Sequence, residues 1–273
     1  MKRLHLIELE DLAGFPTPIR DGITDFLEYA VVVSNLYKPI IPRLERVLKT
    51  LRIQRIVDLC SGGGGPWKSL QTHLAPLREG QTTVCLTDRY PNVAALTELK
   101  QDSQGRLDFV ATSISAMNVP AELEGFRTLF SSFHHFPPEQ ARAILEDAVV
   151  KRQGIAIFES TQRHPLFLLY MLFTPILVLL SAPFIRPFKW QRLFWTYLIP
   201  AIPLAVMFDG IVSCLRTYTV AELTELTQGL GDGAYEWEMG VERLGFLPVG
   251  VTYLIGYPKT PLTKIENDAL DSR

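Results

Sequence analysis

Residues 56–66 read Ile56-Val57-Asp58-Leu59-Cys60-Ser61-Gly62-Gly63-Gly64-Gly65-Pro66. A short apolar run ends near an acid, four glycines follow, and a proline opens a stretch with helical spacing. Glycine lets the backbone take positive φ and lets a ligand approach the main chain closely. A helix that starts just after such a loop presents free N–H groups to an anionic or polar ligand. The stretch therefore predicts a strand, a ligand-binding turn and a helix.

Working outward, the same rhythm repeats. WKSLQTHLAPL reads as the first helix after the loop. TTVCLTD is a second strand, followed by the helix NVAALTELKQ, and LDFVAT is a third strand. TLFSSF and GIAIFES are the fourth and fifth, separated by a helix over PPEQARAILEDAVV. Strands alternating with helices at this spacing imply βαβ units and a parallel sheet covered on both faces. YEWEMGVERL and PVGVTYLIGYPK close the chain as an antiparallel hairpin at one sheet edge. The polar tail TKIENDALDSR is expected to fray. Before the loop, residues 19–52 show three- and four-residue apolar spacing, with Pro39 and Pro42 marking the join between two helices. The expected fold is α/β: a Rossmann-like, seven-stranded, mostly parallel sheet with a C-terminal antiparallel hairpin, an N-terminal helical cap and an apolar helical insertion. The domain reading is cap 1–52, core 53–162 with 214–262, and insertion 163–213.

Composition narrows the function classes. The 273 residues carry 27 Lys+Arg against 29 Asp+Glu, so no basic excess exists to neutralise a nucleic-acid backbone, and no nucleic-acid partner is expected. Cys60, Cys85 and Cys214 form no zinc spacing and no CxxC, and no metal site is assigned from the sequence. An odd, sparse cysteine count suits a reducing compartment, and the N-terminus lacks the long apolar run of a secretory signal. A cytosolic or cytosol-facing chain is expected. The glycines lack the GxGxxG of a dinucleotide site and the Lys-Ser/Thr of a triphosphate loop.

The acid-x-x-x-Gly62-x-Gly64 pattern, Asp88 at the end of the second strand, and Leu129-Phe130-Ser131-Ser132-Phe133-His134-His135-Phe136 at the fourth resemble the class I S-adenosylmethionine-dependent methyltransferases, in order and over roughly residues 53–160 plus the hairpin. The resemblance implies S-adenosyl-L-methionine as cofactor. It implies contacts from Asp58, Cys60, Ser61, Gly62 and Gly64 in the loop, from Asp88 and Arg89 at the ribose, from Ser115 and Ala116 near the adenine, and from Ser132 and Phe133 after the fourth strand. Cys60 stands where the family has its first glycine. Ser115 stands where it has an acid for the adenine amino group, which leaves that recognition to backbone groups or Asn118. The general likeness is to ubiquinone/menaquinone-type and natural-product enzymes.

Candidate bases are His134, His135, Glu159 and Asp209. Adjacent residues on an extended segment face opposite sides, so only one of the two histidines is expected to face the cofactor. Glu159 ends the fifth strand, where open α/β sheets place ligand-facing groups. Asp209, Ser213, Arg216 and Tyr218 follow a greasy wall and read either as acceptor-orienting groups or as helix-start chemistry. Cys60 and Cys85 read as small core residues.

From His164 to Ile185 the chain carries no formal charge with His neutral; as one helix this would span roughly 33 Å. Two spans would place the loop Arg186–Arg192, with three positive charges, on the outer side, against the positive-inside bias. Pro165, Pro175, Pro183 and Pro187 argue against one straight helix. Three readings stand: a lid over a greasy pocket; a patch entering one leaflet, with Arg186, Lys189, Arg192, Trp190 and Trp195 at the headgroups; or an insert buried against the core or a second copy. The expected activity is methyl transfer to a hydrophobic small-molecule or lipid-like acceptor, with a peripheral position on the inner face of a membrane. The competing class is a cofactor-binding membrane or partner module without catalysis.

Overall fold

The computed structural model describes residues 1–12, 14–245 and 249–259, so the tail expected to fray lies outside the described residues. The seven strands are β1 Arg55–Asp58, β2 Thr83–Leu86, β3 Leu107–Phe109, β4 Phe126–Phe130, β5 Ile155–Glu159, β6 Tyr235–Arg243 and β7 Gly250–Pro258. They form one sheet in the order β3-β2-β1-β4-β5-β7-β6. The first five pair in parallel, whereas β7 runs antiparallel to β5 and β6. The expected fold is therefore the observed one. Chain direction across the sheet reverses between β1 and β4, and the glycine loop leaves β1 at that switch point.

Every residue of β4 and β5 is buried, as strands covered on both faces require. One face packs against α1 Thr17–Ser34, α2 Ile41–Thr50, α3 Gly65–His73, α4 Ala75–Arg78 and α5 Val93–Asp102. Leu44, Leu48, Trp67, Leu70, Leu96 and Phe126 belong to that core. The other packs against α6 Pro138–Val150, where Ile144 and Leu145 meet Leu129, Ile157 and Leu254. The single helix expected over 67–77 is two, because Leu74 turns extended ahead of Pro76.

The insertion forms α7 Pro165–Ser181, α8 Trp190–Leu193, a π turn over Phe194–Leu198, and α9 Ala201–Arg216. Its inner face packs on α1, joining Val178, Ile185, Ile202 and Val206 to Ile19, Ile23 and Phe26. α7 stops at Ser181, ahead of Pro183, with Pro175 inside it. Pro175 removes the N–H that would bond to the Met171 carbonyl, and the Thr174 hydroxyl donates to that carbonyl instead at 2.7 Å. Nor does Arg192 face outward. It is 2% exposed, paired with Asp25 at 2.6 Å and donating to the Ile185 and Pro187 carbonyls. Lys189 also pairs with Asp25, and Trp195 packs into the core shared with α1. Arg186 and Trp190 stay exposed.

Among the described residues no single helix is long and apolar enough to cross a membrane. The pair Trp190–Leu198 and Ala201–Arg216 passes on length and composition but bends by 79° at its break. The final helix, α10 Val220–Thr227, opens with the Thr219/Glu222 capping box expected from the sequence.

Candidate functional site

The loop after β1 is built around Asp58. Its carboxylate accepts from the hydroxyls of Ser61 and Thr128, each at 2.6 Å, and it is almost wholly buried. Burial pushes its carboxyl up to about 7, against the pull of the hydrogen bonds from Ser61 and Thr128. Both oxygens bond inside the protein and burial closes the group to a ligand, so Asp58 shapes the turn as an internal brace. Ser61 completes the brace by donating its backbone N–H to the Thr87 carbonyl.

Cys60 takes φ +56, a left-handed conformation that explains why glycine would suit this position. Its thiol is pushed up to about 12 by burial, with the Asp88 and Asp58 charges adding to the effect, so it is not a thiolate nucleophile. Gly62 and Gly64 are also left-handed, at φ +54 and +74. They differ in surroundings. A Cβ on Gly62 would meet nothing within 4 Å, whereas one on Gly64 would lie 2.5 Å from Leu99 Cδ2. Gly62 thus lines open space and Gly64 seats the loop on α5. Glu28 of α1 lies above the loop and pairs with Lys68 of α3.

Asp88, at the end of β2, reaches this loop. Its Oδ2 accepts the Gly62 N–H at 2.8 Å and its Oδ1 accepts the Tyr90 N–H at 2.7 Å. Each carboxylate oxygen has two lone pairs, so capacity remains for two further donors. Arg89 and Tyr90 beside it are exposed. The Ile114 N–H donates to the Asp88 carbonyl at 2.9 Å, which lays the segment holding Ser115 and Ala116 alongside. Ala116 is buried in the core, and Asn118 Oδ1 accepts from Lys151 Nζ at 3.4 Å.

At the end of β4, Ser131 sits at φ +43 and its hydroxyl joins Tyr37 at 2.7 Å and Ser160 at 2.6 Å. Ser132 Oγ is buried with no hydrogen-bond partner among the described residues. The Phe133 ring packs in the core against Tyr218, while its N–H donates to Glu159 Oε1 at 2.7 Å.

The two histidines do not face opposite ways. Phe133–His135 is a 3-10 turn, not an extended segment, and the imidazoles lie 4.4 Å apart at 32°. His134 Nδ1 lies 2.6 Å from Glu159 Oε2. Its Nε2 turns toward Glu8 Oε1 at 3.6 Å, too long for a hydrogen bond. His135 places Nε2 3.7 Å from Glu8 Oε2 and Nδ1 3.3 Å from Asp11 Oδ1. Burial pulls the His135 imidazole down, but the Asp11 hydrogen bond and the Glu8 and Asp11 charges outweigh it and hold it above the usual value. The hydrogen bond to His135, aided by Arg216, holds Asp11 well below the usual carboxylate range.

Asp209, Ser213 and Arg216 lie along α9, not at a helix start. Asp209 accepts from the Leu9 and Glu10 N–H groups at 2.7 and 3.3 Å, Ser213 donates to Glu8 at 2.9 Å, and Arg216 pairs with Glu8 and Asp11 at 3.0 and 2.8 Å. Asp209 thus positions the N-terminal segment, with its carboxyl raised by burial. That segment also anchors through Arg3, which donates to the His134 and Phe136 carbonyls at 3.0 Å. Glu8, Asp11 and Arg3 were not read as site residues; the acids of Glu8-Leu9-Glu10-Asp11 were the one available signal.

No family model matches the chain, and no curated protein matches it. Solved structures do match in fold. An O-methyltransferase family protein from Burkholderia thailandensis superposes with a TM-score of 0.50 at 14% identity, covering 86% of this chain and 59% of that one. TnmH superposes with a TM-score of 0.50 at 18% identity, covering 92% of this chain and 61% of that one. The chain thus spans about three fifths of the length of these two structures.

Proposed function

We propose that this chain is an S-adenosylmethionine-dependent methyltransferase whose acceptor is a hydrophobic small molecule or lipid-like molecule met at a membrane surface. The observation that carries the cofactor part is the Asp88–Gly62 pair: a strand-end carboxylate bonded to a glycine loop that borders open space, at the sheet's switch point. Asp88 has lone pairs left for two ribose hydroxyls, and the partnerless Ser132 hydroxyl supplies a further buried polar contact. These residues fit the cofactor. When bound, it supplies a methyl group activated on a sulfonium with a thioether leaving group. The chain then has to hold donor and acceptor in line, and positioning alone supplies much of the barrier reduction. Asp209 is committed to backbone N–H groups, and Glu159 braces the His134 turn, so neither is free to take an acceptor proton.

Two features support a greasy acceptor. A shallow, open apolar groove is lined by Leu9, Phe15, Ile19, Leu204, Met207 and Phe208, among others. It begins one residue from Glu8, which faces the histidines. Beside it, the outer face of α7 to α9 leaves Leu172, Phe173, Leu180, Trp190 and Leu198 exposed, Trp190 by 77%. An apolar face this extensive on one insertion marks an interaction surface. Trp190 and Arg186 at its margin suit the headgroup layer of a leaflet, with the apolar side chains below them.

Calorimetry tests the cofactor. Wild-type protein should bind S-adenosylmethionine, and Asp88→Ala should weaken binding by about ten-fold or more, one lost charged hydrogen-bond partner being worth about 1.5–3 kcal/mol. A folded wild type that does not bind rejects the assignment. Transfer of labelled methyl into a lipid extract excludes the binding-only module. Liposome flotation tests the surface: intact protein should float and L172D/L180D should not, whereas an intact protein that never floats rejects the membrane partner.

A further inference from the structure

The two imidazoles of the Phe133–His135 turn are held differently at Nδ1. That of His134 bonds to Glu159 at 2.6 Å, whereas that of His135 lies 3.3 Å from Asp11 Oδ1 and 3.5 Å from Arg216 Nη1. In each, Nε2 points toward the same third carboxylate, that of Glu8, at 3.6 and 3.7 Å. At His134 the Glu159 carboxylate fixes the tautomer that leaves Nε2 as a lone pair, which is how ligating histidines are oriented. His134 is 3% exposed, and its Nε2 has no hydrogen-bond partner among the described residues. A buried ring nitrogen left in that condition calls for an occupant.

The separations indicate which kind. They are too long for hydrogen bonds. Two atoms each about 2.0–2.1 Å from one tetrahedral ion sit about 3.3 Å apart, within a few tenths of an ångström of the two histidine–Glu8 separations. One ligand atom from each of Glu8, His134 and His135 lies within 4.8 Å of the others. Arg216 and Ser213 occupy Glu8 Oε1, while Oε2 accepts no hydrogen bond among the described residues. Charge also permits a cation. Glu8, Asp11 and Glu159 outnumber the guanidiniums of Arg216 and Arg3, so neutral imidazoles leave the cluster negative.

We infer that Glu8, His134 and His135 form a three-ligand site for a divalent first-row transition ion, with a fourth position left for water or an acceptor heteroatom. Glu159 and Asp11 are its positioning residues, and α9 holds the third ligand in place through Ser213 and Arg216. Cysteine spacing does not point to this site, which uses no cysteine and takes its carboxylate from the N-terminal segment. The site does not depend on the methyl-transfer reading, because ion binding is measured without the sulfonium cofactor.

The test is calorimetric titration of chelator-stripped full-length chain with Zn²⁺, joined to the visible spectrum after adding Co²⁺. One ion per chain and an intense, low-symmetry Co²⁺ band are expected. Glu8→Gln, which keeps the shape and the Ser213 contact, and His135→Ala, on a half-buried ring, should each weaken Zn²⁺ binding by about ten-fold or more while keeping the wild-type circular dichroism. Wild type that binds no Zn²⁺, or folded variants that bind as tightly as wild type, would overturn the site. The first result would mean that the two imidazoles hold protons between carboxylates.

Discussion

Two alanines placed two residues apart should fail in different ways. Gly62 and Gly64 share left-handed backbone, so each alanine carries the same conformational cost of about 1–2 kcal/mol, partly offset by about 0.4–1 kcal/mol from a stiffer unfolded chain. At Gly62 the cost stops there, because the new Cβ meets nothing within 4 Å. At Gly64 the Cβ lies 2.5 Å from Leu99 Cδ2 and 3.3 Å from Leu86 Cδ1. Both leucines are buried, so they cannot swing into solvent. Overpacking adds about 1–3 kcal/mol, giving about 2–4 kcal/mol for Gly64→Ala against about 1 kcal/mol for Gly62→Ala. Urea unfolding should order the midpoints as wild type, then Gly62→Ala, then Gly64→Ala well below. Calorimetry with S-adenosylmethionine should separate the pair the other way. Gly62→Ala should fold but put a methyl into the open space proposed for the cofactor, lowering affinity by about ten-fold or more. Equal midpoints for the two variants, or wild-type affinity in folded Gly62→Ala, would refute the division of labour between the glycines.

The Asp58 carboxyl, at about 7 when folded against an ordinary value of 3.8, makes the folded state bind the extra proton between those values. Its stabilising contribution is therefore complete below pH 4 and is lost as pH rises through 7, with a slope of at most about 1.4 kcal/mol per pH unit; stability measured over pH 4–8 should show this slope in wild type and a flatter one in Asp58→Asn. Cys60→Gly should relieve a left-handed side chain and leave the unfolding midpoint within about 1 kcal/mol of wild type, since lost burial and chain entropy offset the relief; a loss above 2 kcal/mol in chemical denaturation would contradict it. Asp147→Ala strips Arg127, 1% exposed, of its 2.8 Å partner and should cost about 3–5 kcal/mol by the same assay. Thr174→Val leaves the Met171 carbonyl without its 2.7 Å donor beside Pro175, and should lower stability by about 1–3 kcal/mol.

Much of the fold could be read from local signals. The alternation from Ile56 to Glu159 has the period of buried strands and amphipathic helices, and Thr219 with Glu222 is a local cap, so neither needs tertiary information. The glycine loop and Asp88 were legible for the same reason. What escaped depends on contacts between distant parts of the chain. Glu8 meets His134 and His135 only because α9 pins the N-terminal segment across the turn. Arg192 is buried because Asp25, on another helix, waits for it. The histidine pair was assigned opposite faces because an extended backbone was assumed; the 3-10 turn swings both rings to one side. Pro175 lies inside α7 because its neighbour's hydroxyl substitutes as donor, a contact that proline spacing alone does not show.

Helix α9 is a continuous rod with two unlike ends. Leu204 and Phe208 stand exposed near its start, while Arg216 grips Glu8 and Asp11 at its finish, about 18 Å further along. Asp209 and Ser213 fasten the same acidic N-terminal segment midway. With three fastenings on one rod, any tilt of its apolar start is carried to the acids at its finish.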